Sequence, residues 1–133
     1  MHHIGYTSRA VGDSSTAALQ ALCEQSEAHN HAIGVTGLLV FDSVRYIQLI
    51  EGEQSTVRQL MARIATDHRH DKIVYFIDGP TSERAFDQWD LACVGFNENL
   101  SSSQLVCDVK AKLSNVKDVC ILASFIGFAA LAK

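Results

Sequence analysis

VRYIQLIEGE, residues 44–53, decides how this chain folds. Val44, Tyr46, Ile47, Leu49 and Ile50 are strand formers, and Glu51-Gly52 ends the run. Alternation puts Val44, Tyr46, Gln48 and Ile50 on one face and Arg45, Ile47, Leu49 and Glu51 on the other. Both faces carry apolar residues, which marks a strand covered on both sides. An amide, Gln48, stands at its centre, and a buried amide needs a partner.

The flanking stretches supply the rest of a sheet. HHIGYT (2–7) alternates and reads as a first strand. GVTGLLVF (34–41) reads as a second, turning at Asp42-Ser43 into the third (44–50). KIVYFID (72–78) forms a fourth, ended by Gly79-Pro80, and LACVGF (91–96) a short fifth. Gly12-Asp13-Ser14-Ser15 offers N-caps for a helix over about 15–30, with Leu19, Leu22 and Cys23 at helical spacing. Gln54-Ser55 opens a second helix with Val57, Leu60, Met61 and Ile64 along one side. Ser101-Ser102-Ser103 begins a third through about Leu113; Asn115 breaks it, and a last helix starts at Val116. The order β-α-β-β-α-β-β plus two helices predicts an α+β, ferredoxin-like sheet. Right-handed crossovers put the first two helices on one face. The two C-terminal helices then cap the other face.

Composition narrows the class. The 133 residues favour one domain, and 47% hydrophobic content supplies a core. A net charge of -4 without a long run of one sign argues against nucleic acid or an anionic membrane as partner. The apolar segment ILASFIGFAALA (121–132) is too short to span a bilayer. The N-terminus lacks the basic-then-apolar pattern of a signal peptide. Cys23, Cys93, Cys107 and Cys120 form no CxxC pair or zinc-ligand spacing, and read as reduced, partly buried residues of a cytoplasmic protein.

Several polar residues break the apolar pattern. Tyr6 lies on the first strand, which this fold places beside the third, so Tyr6 and Gln48 can meet as a phenol–amide pair. The stripe of the first helix turns polar at Ser26, His29 and Asn30, and the second helix ends in DHRH (67–70). These groups can converge on one cavity between the helices. Plainer readings stand beside this one. A strand glutamine can be satisfied by backbone or water. His29, Asn30 and His31 can be a solvated helix end, and HRH (68–70) a complement to the helix dipole. Trp89 can be an ordinary core or edge aromatic. The histidines come in pairs, 2/3, 29/31 and 68/70, but those two apart on a helix face different ways. No Walker loop, GxGxxG or nucleophile elbow occurs.

Taken together, Tyr6, Asn30, GVTGLLVF (34–41), YIQLIEGE (46–53), DHRH (67–70) and Trp89, in this order and spacing, resemble the BLUF family of flavin-based blue-light sensors over about residues 2–96. The resemblance implies a sensor domain over 1–97 and a helical cap over 98–133. It implies a non-covalently bound flavin, by family habit FAD, with FMN or riboflavin as alternatives. The ring would lie between the two helices, with Tyr6 as the light-driven electron and proton donor. Gln48 would bridge Tyr6 and the flavin edge, and rearrange its hydrogen bonds to the flavin carbonyl. Asn30 would hold the polar edge of the ring, with Ser26 and His29 nearby. Leu22, Leu39 and Ile64 would be apolar walls, Arg69 and His70 would lie on the ribityl-phosphate side, and Trp89 would sit beside the switch. One departure is Leu91, where many relatives carry methionine: the volume is similar and the sulfur is missing.

On this reading no effector domain follows. The signal would leave through the fifth strand and the C-terminal helices to a downstream protein or to another copy in a homo-oligomer, without net catalysis. The rival readings are a ligand-free ferredoxin-like interaction module, an acylphosphatase-like hydrolase using Arg69 and Asn30, and a flavin enzyme. The hydrolase lacks a phosphate-cradling loop, and the enzyme lacks a nicotinamide site or acid–base pair.

Overall fold

A computed structural model describes residues 1–12, 15–96 and 101–131. It contains β1 (His2–Ala10), α1 (Thr16–Ile33), β2 (Thr36–Phe41), β3 (Arg45–Gly52), α2 (Gln54–Ala65), β4 (His70–Pro80), β5 (Ala92–Val94), α3 (Ser102–Lys112) and α4 (Val119–Ala130). The strands form one sheet in the order β4-β1-β3-β2-β5. β1 runs antiparallel to both β3 and β4, β2 runs antiparallel to β3, and only β2–β5 is parallel. The ferredoxin-like α+β architecture is thus observed. The expected boundary at residues 97/98 and Asp13-Ser14 of the first loop lie outside the described residues.

Local chemistry sets the ends of the elements. Ser15 caps α1 by accepting from the Ala18 N–H. Gly34 closes the same helix in the left-handed region, φ 72°, where a side chain would be strained. Its N–H reaches the Asn30 and His31 carbonyls. Glu53 caps α2, Ser101 and Gln104 form a capping box on α3, and Asp118 caps α4. β5 is shorter than expected because Gly95, at φ +87°, turns the chain against the Phe41 carbonyl. A Cβ at Gly95 would stand 2.1 Å from that oxygen.

The sheet buries both faces, as the pattern in β3 requires. Ile47 and Leu49 join Leu38, Val40 and Val94 under α3 and α4, where Leu105, Val109, Phe125 and Phe128 complete the larger core. On the opposite face, Ile4 and Ile50 pack with Val57, Leu60 and Met61 of α2, and Leu39 and Phe41 with Leu19 of α1. Two cations pin the C-terminal helices: Arg45 lies 4.7 Å from the Phe128 ring centre, and Lys112 4.8 Å from that of Trp89. No described helix is long and apolar enough to cross a membrane.

Two findings depart from the sequence reading. Cys23 of α1 and Cys93 of β5 form a disulfide, so these cysteines are not reduced; Cys107 and Cys120 are free and exposed. The pairing also removes the cysteine argument for a cytoplasmic location. The second departure is Glu51, read as a strand terminator. It is fully buried, and its carboxylate accepts from Ala85 N–H (2.8 Å), Phe86 N–H (2.7 Å) and the Thr36 hydroxyl (2.9 Å). Arg84 adds bonds to Thr36 Oγ1, the Glu51 carbonyl and the Gly34 carbonyl. This network ties the 81–89 loop to β2 and β3. Replacing Glu51 with Ala leaves two backbone donors without their partner, at roughly 1–3 kcal/mol each. Glu51→Ala is expected to lower the unfolding free energy by about 3 kcal/mol in urea denaturation; a loss below about 1 kcal/mol would show that Phe86 packing alone holds the loop.

Candidate functional site

The ladder sets Tyr6 of β1 opposite Gln48 of β3, with Leu39 of β2 on the other side of Gln48. All three side chains point to the face covered by α1 and α2. The Tyr6 hydroxyl donates to Gln48 Oε1 at 2.5 Å, and both residues are buried. Burial raises the Tyr6 phenol well above its ordinary pKa, so it holds its proton across the whole accessible pH range. Gln48 Oε1 thus has its donor. Its Nε2 makes no hydrogen bond among the described residues, and none of their buried side-chain polar atoms lacks a partner. Nε2 therefore reaches open space, and that space is a cleft.

The cleft encloses about 220 Å³. This is small beside the roughly 300–1,000 Å³ of typical ligand pockets. Tyr6 and Gln48 form the floor, with Leu39 and Tyr46 beside them. α1 contributes Leu22, Gln25, Ser26, His29 and Asn30, and α2 contributes Leu60, Arg63 and Ile64. Asp67, Arg69 and His70 complete the wall. Every residue expected at a flavin is brought here except Trp89.

Trp89 lies against the core beneath α3 and α4, 6.4 Å from the Phe86 ring and under Lys112. Leu91, the residue before β5, is buried in the same cluster as Leu39. Strand parity does not reach back to residue 89, because β5 starts at Ala92.

Each polar wall residue has a specific engagement. Asn30 is buried; its Nδ2 donates to the Asp90 carbonyl at 2.9 Å, which leaves Oδ1 for the cleft. His29 Nε2 lies 2.7 Å from Arg63 Nη1. A guanidinium only donates, so His29 accepts there, and the bond bridges α1 and α2. His70 is used at both nitrogens. Nε2 meets the Ile64 carbonyl at 2.6 Å and so carries a proton, while Nδ1 meets Ser8 Oγ at 2.7 Å. His70 is a wall fixture, with its ring edge-on to Tyr6 at 5.8 Å, and is not free to meet a phosphate. Arg69 is clamped to Asp67, Nη2–Oδ2 2.5 Å and Nε–Oδ1 2.9 Å.

Gln25, Tyr46, Leu60 and Arg63 were not expected at the site. Arg63 follows Leu60 by three residues on α2, and Gln25 neighbours Ser26 on α1, so helical spacing carried part of that signal. Among the described residues, no group of three or more His, Cys, Asp or Glu gathers as a metal site.

The fit to a flavin rests on these groups. Gln48 Nε2 and Asn30 Oδ1 offer a donor and an acceptor to a polar ring edge. Leu22, Leu39 and Ile64 offer apolar walls, and the exposed Arg63 and Arg69, the latter paired with Asp67, add guanidinium groups to the lining. The chemistry of the donor set fits the group.

Comparison with known proteins assigns the family. The model of the family described as "Sensors of blue-light using FAD" matches residues 1–92. The chain belongs to that family, the BLUF family of blue-light sensors that use a flavin. Photoactivated adenylate cyclase subunit beta of Euglena gracilis is 30% identical over 73 residues, 55% of this chain and 8% of that protein. Subunit alpha is 34% identical over 62 residues, 47% of this chain and 6% of that protein. The chain therefore spans less than a tenth of these relatives. Among solved structures, the dark state of BlrB, a BLUF protein, is similar with a TM-score of 0.73 and 26% identity over 97% of this chain and 95% of that one. BlrP1 of Klebsiella pneumoniae, solved with FMN and cyclic diGMP, gives 0.76 at 23% identity over 95% of this chain and 34% of that one, a likeness of fold.

The hydrogen bonds from Arg69 hold the Asp67 carboxyl down, to a pKa of about 2 from an ordinary 3.8. A depressed carboxyl contributes stability above its unfolded pKa and loses it as the pH falls. The Asp67–Arg69 clamp is thus intact above about pH 4 and opens only toward pH 2. Carbon-13 NMR titration is expected to show Asp67 ionising near 2, and Arg69→Ala to return it to the ordinary carboxylate range; an unchanged value in the variant would remove Arg69 as the cause.

Proposed function

We propose that the cleft holds the ring system of a flavin, FAD by the family's description, and that the chain uses it as a blue-light switch without net catalysis. The observation that carries this reading is the buried Tyr6–Gln48 hydrogen bond, with Gln48 Nε2 left open to the cleft. FMN and riboflavin share the ring and are not distinguished by the cleft itself. A bound flavin supplies blue-light absorption and an acceptor for one electron and one proton.

The chain's own groups do the rest. Tyr6 is the buried donor: it holds a proton on Oη in the dark, hydrogen-bonded to Gln48. Leaving with an electron, that proton is later returned, so Tyr6 ends unchanged. Gln48 is the switch. An amide donates at one end and accepts at the other, so turning it, or moving its proton, exchanges the two hydrogen bonds. In the dark arrangement Oε1 faces Tyr6 and Nε2 faces the cleft; in the exchanged arrangement the Tyr6 side meets a donor and the cleft side an acceptor. Apolar walls and exclusion of water keep these bonds strong enough to matter. Asn30, Ser26 and His29 orient the polar edge from α1, Leu39 and Ile64 flank the ring, and Arg63 and Arg69 meet the phosphate side.

The proposed exit starts at Asn30. Its amide touches the cleft and also holds the Asp90 carbonyl, one residue before Leu91. Leu91 packs beside Leu39 and leads into β5, which leads toward α3. In this route Trp89 acts on the far face, through Lys112 of α3, rather than inside the cleft. Residues 1–97 form the sensor and 98–133 the cap that meets a downstream protein or a second copy of the chain. Because α3 and α4 cover the larger core, deleting them would strip the sheet, so output is better tested by surface changes on those helices.

The test is an absorption spectrum in the dark and under blue light. A yellow protein with a small, dark-reversible red shift of the flavin band is expected. Gln48→Leu and Tyr6→Phe are each expected to keep the flavin and lose the shift, the first because no exchangeable amide remains, the second because no phenol remains. A protein that stays colourless with excess flavin would leave the ligand-free interaction module as the reading.

A further inference from the structure

The disulfide occupies a position that its role as a crosslink does not exhaust. Of the eighteen residues of α1, only Leu19 and Asn30 are buried, because the cleft lies beneath the helix. The helix is thus a thinly packed wall. At its end, Asn30 and His31 bond to Asp90. Midway along it stands Cys23, next to Leu22 and less than a turn from Ser26, both of which line the cleft. The other sulfur, on Cys93, lies opposite Leu39 in the β2–β5 ladder, and Leu39 lines the cleft too. One covalent bond therefore fastens the α1 wall to the sheet beside the ligand, and fastens a three-residue edge strand to α1. Cys23 and Cys93 are each half-buried rather than sealed in the core.

We propose that Cys23–Cys93 is a thiol–disulfide exchange site for a dithiol reductant, and that its redox state sets how firmly the α1 wall and β5 are held around the cleft. In its ligand-retention part this rests on the flavin reading above. A thiolate of the reductant attacks one sulfur of the pair, and the S–S electron pair leaves on the other sulfur, which takes a proton from water. The second thiol of the reductant then displaces the first cysteine. Two electrons and two protons pass to Cys23 and Cys93, and the reductant becomes a disulfide. Oxidised, the wall is clamped; reduced, α1 is held by Leu19, the His29–Arg63 bond and its C-terminal bonds to Asp90, and β5 by its short ladder with β2.

The test uses the full chain with Cys107→Ser and Cys120→Ser, two exposed positions outside the cleft, so that only this pair reports. Dithiothreitol is the reductant. Thiol titration should find none before reduction and two after it. Flavin release in the dark, followed by the fluorescence of the freed ligand, should quicken by roughly tenfold or more on reduction. Amide exchange should rise in α1 and β5 while β1 and β3 keep their protection. Cys23→Ser should match the reduced protein without dithiothreitol. Free thiols before reduction, or a flavin-loaded protein whose release and exchange ignore reduction, would overturn the proposal. So would loss of the whole fold on reduction, since the bond would then hold the domain rather than the wall. A chain that takes up no flavin would sink the flavin reading instead; exchange at α1 and β5 would still decide the clamp.

Discussion

The pairing of β1 with β3 governs most of what this molecule can do. In that ladder Tyr6 and Gln48 are directly opposed, and a one-residue slip would send every side chain of a strand to the other face. The slip is prevented from both sides. Ile47 and Leu49 are needed beneath the C-terminal helices, and Ile4 and Ile50 beneath α2. Glu51 adds a polar restraint, because its carboxylate is the acceptor that the 85–86 backbone requires. The phenol and the amide are therefore held together by a register that the rest of the core enforces.

The two faces of the sheet serve different ends. The face under α3 and α4 carries Phe86, Phe125, Phe128 and the central aliphatics, and is packed throughout. The face under α1 and α2 gives up packing to make room for the cleft. Tyr6 and Gln48 sit where a well-packed protein would place aliphatics, and α1 buries little. What holds that wall is directional: the Asn30 amide and His31 on Asp90, His29 on Arg63, and the Cys23–Cys93 bond. Directional bonds can be exchanged one at a time, whereas a packed face moves as a whole.

Much of this was legible in the residues. The period of two in 44–50, with the ferredoxin-like strand order, was enough to bring Tyr6 to Gln48 and to assign the helices to their faces. The polar turn of the α1 stripe announced the cleft, and the family resemblance supplied the ligand. Other features had no local signal. Cys23 lies on a helix and Cys93 on a strand, with 70 residues between them, so no spacing rule could pair them. Glu51 looked like punctuation because a charged residue at a strand end usually meets water; its partners come from a loop whose path the sequence does not show. Trp89 has its expected place beside the switch from the family resemblance alone; nothing in the local pattern fixes it, since β5 begins three residues later and the indole packs against the core beneath α3 and α4.

The strand order carries a last consequence, for how the chain comes together. β1 lies in the interior of the sheet, yet its partners β3 and β4 follow much later in the chain, and β2 makes no contact with it in the ladder. A nascent first strand has nothing to pair with until the β2–β3 hairpin has formed, and its second edge stays open until β4 arrives. Assembly is thus dominated by non-local closures, which are slow and leave apolar edges exposed in the meantime. The hairpin at Asp42-Ser43, with the Asp42 carboxylate holding the Val44 and Arg45 amides, is, among the described residues, the local β-structure available early, and it is the natural template on which the N-terminal strand docks.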